Sequence, residues 1–210
     1  MPDTPPVTLE AIRGVLQTTP ARWQALMAQL PAAILERPAA PGEWSAVDCL
    51  RHLIDLETRV FPTRLRALLA GQAFPAAGAP VATAGASPAE LAALFARHRT
   101  ANLDLLAGVQ PADLDRAIAH PQLGQVTVRN LVHDWAAHDL MHTVQAERAM
   151  LQPFLPGTGP WRHVFADHDL GDSAPDVAPP PSGAVGAGDV APPPSGAAGA
   201  GKEDTRDGGE

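Results

Sequence analysis

The sequence predicts an all-α fold: a four-helix bundle with a long crossover between its second and third helices, followed by a disordered C-terminal tail. Three observations carry this expectation. Four segments repeat their apolar residues at helical spacing, and no alternating pattern competes with them as a strand. The link between the second and third segments has the length of a crossover rather than of a tight turn. From about Gly171 onward apolar periodicity stops altogether.

In chain order, Thr8 can cap a first helix whose apolar positions Leu9, Ile12, Val15 and Leu16 continue as Trp23, Leu26, Met27 and Leu30. Pro20 is expected to kink or divide it. Pro31 to Gly42 reads as a connection. The second helix starts at Ser45, with Asp48 at its third position and Trp44 placed to pack over Cys49 as a hydrophobic staple. It should run to about Ala70, with a bend at Pro62. Gly71 to Ser87, rich in Ala, Gly and Pro, is the crossover. Ser87, Pro88 and Glu90 open the third helix, whose core residues are Leu91, Leu94, Phe95, Leu103 and Leu106. Pro111 to Val126 is a second long connection, and Thr127 caps the fourth helix.

Two units follow: a helical domain over residues 1–170 and a tail over 171–210. Asp176 to Gly188, DVAPPPSGAVGAG, recurs almost unchanged as Asp189 to Gly201. Such Pro, Gly, Ala and Ser repeats bury too little surface to offset their ordering entropy. The net charge is −8, and the tail holds seven acids against Lys202 and Arg206, which leaves −3 for the helical part. Mildly acidic helices with an acidic tail argue against nucleic acid and anionic membranes as partners. The lone Cys49 excludes an internal disulfide, and neither a signal segment nor a run of about 20 apolar residues is present, so a cytoplasmic location is expected.

The fourth helix carries the strongest chemical signal. His138 and His142 are one turn apart on the stripe Leu131, Trp135, His138, His142, Gln145, which begins as a core seam and turns polar. Buried imidazoles need acceptors or a shared cation, so the pair is either a hydrogen-bonded core feature or two nitrogen ligands of a zinc-like metal. A metal would need a third ligand from elsewhere. On the second helix His52 stands at the edge of the buried face, between Cys49 and Leu56 on one side and Asp48, Asp55 and Arg59 on the other. Asp134, one turn before His138, can orient that imidazole or stand in solvent, and Arg99 and Gln145 can line a pocket. Cys49 is read as a small core residue. His98, His120, His133, His163 and His168 offer no ligand spacing.

Taken together, RPAAPGEWSAVDCLRHLIDLE (Arg37 to Glu57), HPQLGQVTVRNLVHDWAAHDLMHTVQAER (His120 to Arg148) and GPWR (Gly159 to Arg162) resemble the DinB-like superfamily of bacterial four-helix metalloproteins, over roughly residues 8 to 165. The resemblance implies a divalent metal, Zn or Ni foremost and Fe or Mn next, held by His52, His138 and His142. It also implies a small-molecule thiol or electrophile as partner, since some relatives activate low-molecular-weight thiols, and it is compatible with a homodimer. The sequence departs from the family pattern in the apolar crossover and in the repetitive tail. Three functions follow: a metal-dependent thiol transferase or related detoxification enzyme; a non-catalytic metal- or ligand-binding stress protein; and a zinc hydrolase, suggested by the H-D-x-x-H spacing of His138, Asp139 and His142.

Overall fold

The computed structural model describes residues 7–170. The tail expected over 171–210 lies outside the described residues. Helix α1 (Leu9–Gln29) is followed by one short turn of helix, α2 (Ala32–Leu35), inside the stretch read as a plain connection. The second long helix is composite, with α3 (Ala46–Asp55), a π-helical turn (Leu56–Val60) and α4 (Phe61–Ala70) running on without a break. Helix α5 (Pro88–Ala107) and helix α6 (Val128–Leu151) complete the bundle. All four expected N-caps form: the side chains of Thr8, Ser45, Ser87 and Thr127 accept from the backbone amides of Ala11, Asp48, Glu90 and Asn130. Each satisfies one of the orphan donors of a helix start.

Helix α1 packs on α5 and α6, and α3 packs on the same two, so the first and second helices occupy opposite corners. The crossover over residues 71–87 leads out of α4 at Gly71, whose φ of 63° supplies the left-handed turn that ends the helix. Fully extended it is long enough to run back along a helix of about 30 Å and start α5 beside α3. The core is built from Leu16, Trp23, Leu50, Leu53, Phe61, Leu65, Leu91, Phe95 and Trp135, all essentially without solvent contact.

Three local features add to or depart from the expectation. At Pro62 the second helix departs from regular α geometry without breaking. The π-turn directly before it lets Phe61 donate to Leu56 five residues back, and this widening accommodates a residue that has no N–H and whose ring crowds the preceding turn. The connection over 111–126 contains an antiparallel hairpin, β1 (Ala117–His120) with β2 (Gly124–Thr127), pairing Ala117 with Thr127 and His120 with Gly124. Pro20 does not divide α1, which runs unbroken from Leu9 to Gln29. The carbonyl it cannot serve, that of Leu16 four residues earlier, accepts instead from Arg99 Nη1 at 2.9 Å.

That bond belongs to a buried polar cluster joining all four helices. Arg99 grips Glu57 through Nε (3.0 Å) and Nη2 (2.7 Å), and Asp139 through Nη1 (2.6 Å) and Nη2 (2.7 Å). Thr19 donates to Asp139, while Trp135 and Asn102 donate to Glu57. Burial opposes the charge on Arg99, but Asp139 and Glu57 outweigh it and keep the guanidinium firmly protonated. Arg99 therefore lines no pocket. It ties the bundle together from inside.

Candidate metal centre

His52 on α3 meets His142 on α6 with ring centres 4.7 Å apart, and His142 meets His138 at 5.8 Å. Trp44, immediately before the Ser45 cap, covers this group. Its ring stacks on His142 at 5.5 Å and tilts against His52 at 5.0 Å, so it packs over the histidines. From the other side Phe61 stacks on Trp135 at 4.9 Å and meets the His138 ring at 5.7 Å. The structure thus brings together the three histidines that the sequence singled out, between two aromatic walls.

The outer nitrogens of the two α6 imidazoles are tied down. His138 Nδ1 lies 3.0 Å from Asp134 Oδ1 and 3.1 Å from the Asp134 carbonyl, and His142 Nδ1 lies 2.9 Å from Gln145 Oε1. All three oxygens only accept, so each Nδ1 carries the proton, which leaves Nε2 as the lone-pair nitrogen whenever the ring is neutral. His142 Nε2 is buried and has no hydrogen-bond partner. His52 has no hydrogen bond from either ring nitrogen among the described residues. A buried orphaned acceptor such as His142 Nε2 costs about 1–3 kcal/mol unless something occupies it.

Electrostatics keep two of the rings neutral. Burial, reinforced by His142 and His138, pushes His52 down to about 3, and burial pushes His142 down to about 4 despite its bond to Gln145. For His138 burial also works downward, but the hydrogen bond and charge of Asp134 prevail and raise its pKa. A divalent ion needs neutral imidazoles that present Nε2, with the other nitrogen fixed by an outer acceptor. Two imidazoles bound at about 2.0–2.1 Å to one ion have ring centres roughly 4.5–6 Å apart for ordinary angles at the metal. The observed separations lie in that range. As the rings stand, no three His, Cys, Asp or Glu side chains among the described residues are gathered tightly enough to hold an ion, so side-chain rotation would have to bring the nitrogens inward. In chemical type, three imidazoles are a donor set that suits a divalent metal.

The remaining candidates separate cleanly. Cys49 is wholly buried, and burial together with the charge of Asp48 pushes its thiol up to about 12, so it is packing and not a reactive group. Asp139 of the H-D-x-x-H spacing has both oxygens engaged by Arg99 and cannot serve as a base beside the histidines. His120 is buried under Phe74, accepting from the amides of Gln122 and Leu123. His98, His133, His163 and His168 make no contact with the three rings. Trp44 and Phe61 are the walls that sequence reasoning missed. Their sequence signal was an aromatic residue just outside a helix cap and another one turn before the buried Leu65.

The model of the DinB superfamily matches residues 16–146. Among solved structures, TT2238, described as a four-helix bundle protein, is 22% identical with a TM-score of 0.51, covering 66% of this chain and 99% of its own. YfiT from Bacillus subtilis, described as a probable metal-dependent hydrolase with an unusual four-helix bundle topology, is 18% identical with a TM-score of 0.58, covering 71% of this chain and 91% of its own. At these identities the likeness concerns the fold. No curated protein matches the chain.

Proposed function

The chain belongs to the DinB superfamily, and on that premise we propose that His52, His138 and His142 together hold one divalent ion, Zn or Ni foremost, and that the protein transfers a low-molecular-weight thiol to an electrophile. The observation that carries this reading is the buried, unpartnered Nε2 of His142, on a ring packed against His52 and His138 and held at Nδ1 by Gln145. When bound, such an ion lowers the pKa of a coordinated thiol and keeps it as thiolate near neutral pH. The protein's own groups do the rest. Asp134 and Gln145 hold two imidazoles in the ligating tautomer, while Trp44 and Phe61 exclude water from their flanks. In the transfer the thiol S–H proton passes to solvent, a carbon–sulfur bond forms, and the leaving group departs from the acceptor carbon with its electron pair. Three protein ligands leave positions for substrate, as catalytic sites do and closed structural sites do not.

The description of YfiT favours a second reading, in which water takes the place of the thiol. The decisive experiment starts with elemental analysis of protein purified without a His tag, followed by dialysis against a mild chelator. Alanine at position 52, 138 or 142 should weaken metal retention by orders of magnitude, and His133→Ala should not. The metal-loaded protein is then offered glutathione, bacillithiol or mycothiol with an electrophile, and separately activated esters and amides. Thiol consumption above the His142→Ala control supports transfer; hydrolysis alone replaces it with the second reading. Stoichiometric metal without either reaction leaves a binding protein. Stoichiometric metal in His52→Ala refutes the ligand set.

A further inference from the structure

Arg64 has no assigned role, and its surroundings are unusual for a cation. It stands one turn after Phe61 on α4, and Phe61 is the wall that meets His138. Residues three apart share a helix face, so Arg64 continues the same seam between α4 and α6, which pack directly on each other. Its guanidinium carbon lies 4.9 Å over the ring of Phe74 in the crossover, and Phe74 in turn stands edge-on to buried His120 at 4.4 Å. A cation–π contact of this kind orients a guanidinium without using any of its donors. Arg64 is half-buried, and no hydrogen bond or ion pair to it occurs among the described residues.

The other arginines of this region are committed. Arg59 is tied to Asp55 and the Gly78 carbonyl, and Arg99 is consumed in the core. Asp134 lies near enough to Arg64 for its charge to offset part of the cost of burial, yet its Oδ1 is engaged by His138 and no ion pair with Arg64 forms. A half-buried fork of donors, oriented by Phe74 and near the Asp134 that holds His138, is thus without an acceptor among the described residues.

We infer that Arg64, held over Phe74 at the α4–α6 seam, is the anchor for a carboxylate on the molecule that enters the His52–His138–His142 site. This rests on the functional reading of that site and adds the substrate class to it. The planar guanidinium matches a carboxylate in a two-pronged bond. The neighbouring charge of Asp134 favours a monoanion over a phosphate dianion. Among cellular thiols this selects those with free carboxylates, such as glutathione or a malate-bearing thiol, over those with a neutral sugar head.

The test uses the full chain, zinc-loaded and zinc-free, titrated calorimetrically with S-methylglutathione and with its dimethyl ester. The S-methyl group removes the thiol, so binding reports the carboxylates and does not depend on metal–sulfur contact. Wild type should bind the acid about 10- to 100-fold more tightly than the ester, as expected for a charged hydrogen bond to a carboxylate. Arg64→Gln should erase that difference while leaving ester affinity and zinc content as they were, and Arg64→Lys should restore part of it. Equal binding of acid and ester by wild type, no binding of either, or an acid preference that survives Arg64→Gln overturns the inference. Failure of the metal reading appears separately, as wild type that retains no zinc but still prefers the acid through Arg64.

Discussion

Replacing Arg99 by Met should be the most damaging single substitution in the bundle. Arg99 makes six hydrogen bonds: two to Glu57, two to Asp139, and one each to Thr19 and the Leu16 carbonyl. It is fully buried, and both carboxylates are 1% exposed at their side chains. Methionine fills a similar volume and keeps much of the apolar stem's packing, so the loss is mainly electrostatic. The cluster's formal charge goes from −1 to −2 in a site that water does not reach. Removing one partner of a buried ion pair costs about 3–5 kcal/mol. In a domain of this size each kcal/mol moves the thermal midpoint by about 2–4 °C, so a fall of roughly 6–20 °C is expected. Urea unfolding followed by circular dichroism gives the free energy directly. Arg99→Lys should recover only part of it, because three donors on a flexible stem cannot reproduce the fork. The exposed pair of Arg22 with Glu147 supplies the control, and Arg22→Ala should cost about 0.5 kcal/mol or less. An Arg99→Met protein within about 1 kcal/mol of wild type would refute the view that this cluster ties the helices.

Four further outcomes follow. Gln145→Leu should weaken metal retention about 10- to 100-fold, measured by competition with a chromophoric chelator, because the His142 ring loses its outer acceptor. Cys49, its thiol pushed up to about 12, should resist iodoacetamide in native protein at pH 8 and react fully in urea, as read by mass spectrometry. In metal-free protein His52 and His142 take up protons only near 3 and 4, against 6.5 when unfolded, so the unfolded chain binds more protons between those values and stability falls as pH drops from about 6.5 toward 4. Each contributes up to about 1.4 kcal/mol per pH unit, while His138, raised by Asp134, works the opposite way and offsets part of the loss; a flat urea midpoint between pH 6.5 and 4.5 would contradict this. Truncation after Leu170 should leave the thermal midpoint unchanged, since the removed sequence has no apolar periodicity with which to dock.

The helix starts were legible because capping is local chemistry: Ser45 with Asp48 and Ser87 with Glu90 close reciprocal bonds within four residues. The His138–His142 pair was legible for the same reason. His52 was placed beside them only through resemblance, because the contact between α3 and α6 is long-range and no spacing rule encodes it. The hairpin escaped notice because each strand has four residues, too few for an alternating pattern to stand out.

The least legible feature left three separate traces in the sequence. Pro20 reads as a kink, Asp139 as half of a protease-like motif and Arg99 as a pocket residue, and each reading follows from its own neighbours. Their common cause lies in the seams. On α5 the buried stripe Leu91, Phe95, Arg99, Asn102, Leu106 places a cation and an amide at core positions. On α6 the buried stripe Leu131, Trp135, Asp139, Thr143, Ala146 places an acid there, and Glu57 stands in the buried π-turn of the second helix. Buried charges persist only when paired. An arginine in one seam therefore requires acceptors from the facing seams, and Glu57 and Asp139 supply four of them. The Leu16 carbonyl completes the set because Pro20 withholds the amide that would otherwise claim it. A proline inside a helix thus marks where a side chain from another helix enters. Pro20→Ala tests this step: by giving Leu16 a competing backbone donor, it should gain little or no stability over wild type despite the better helix propensity of alanine.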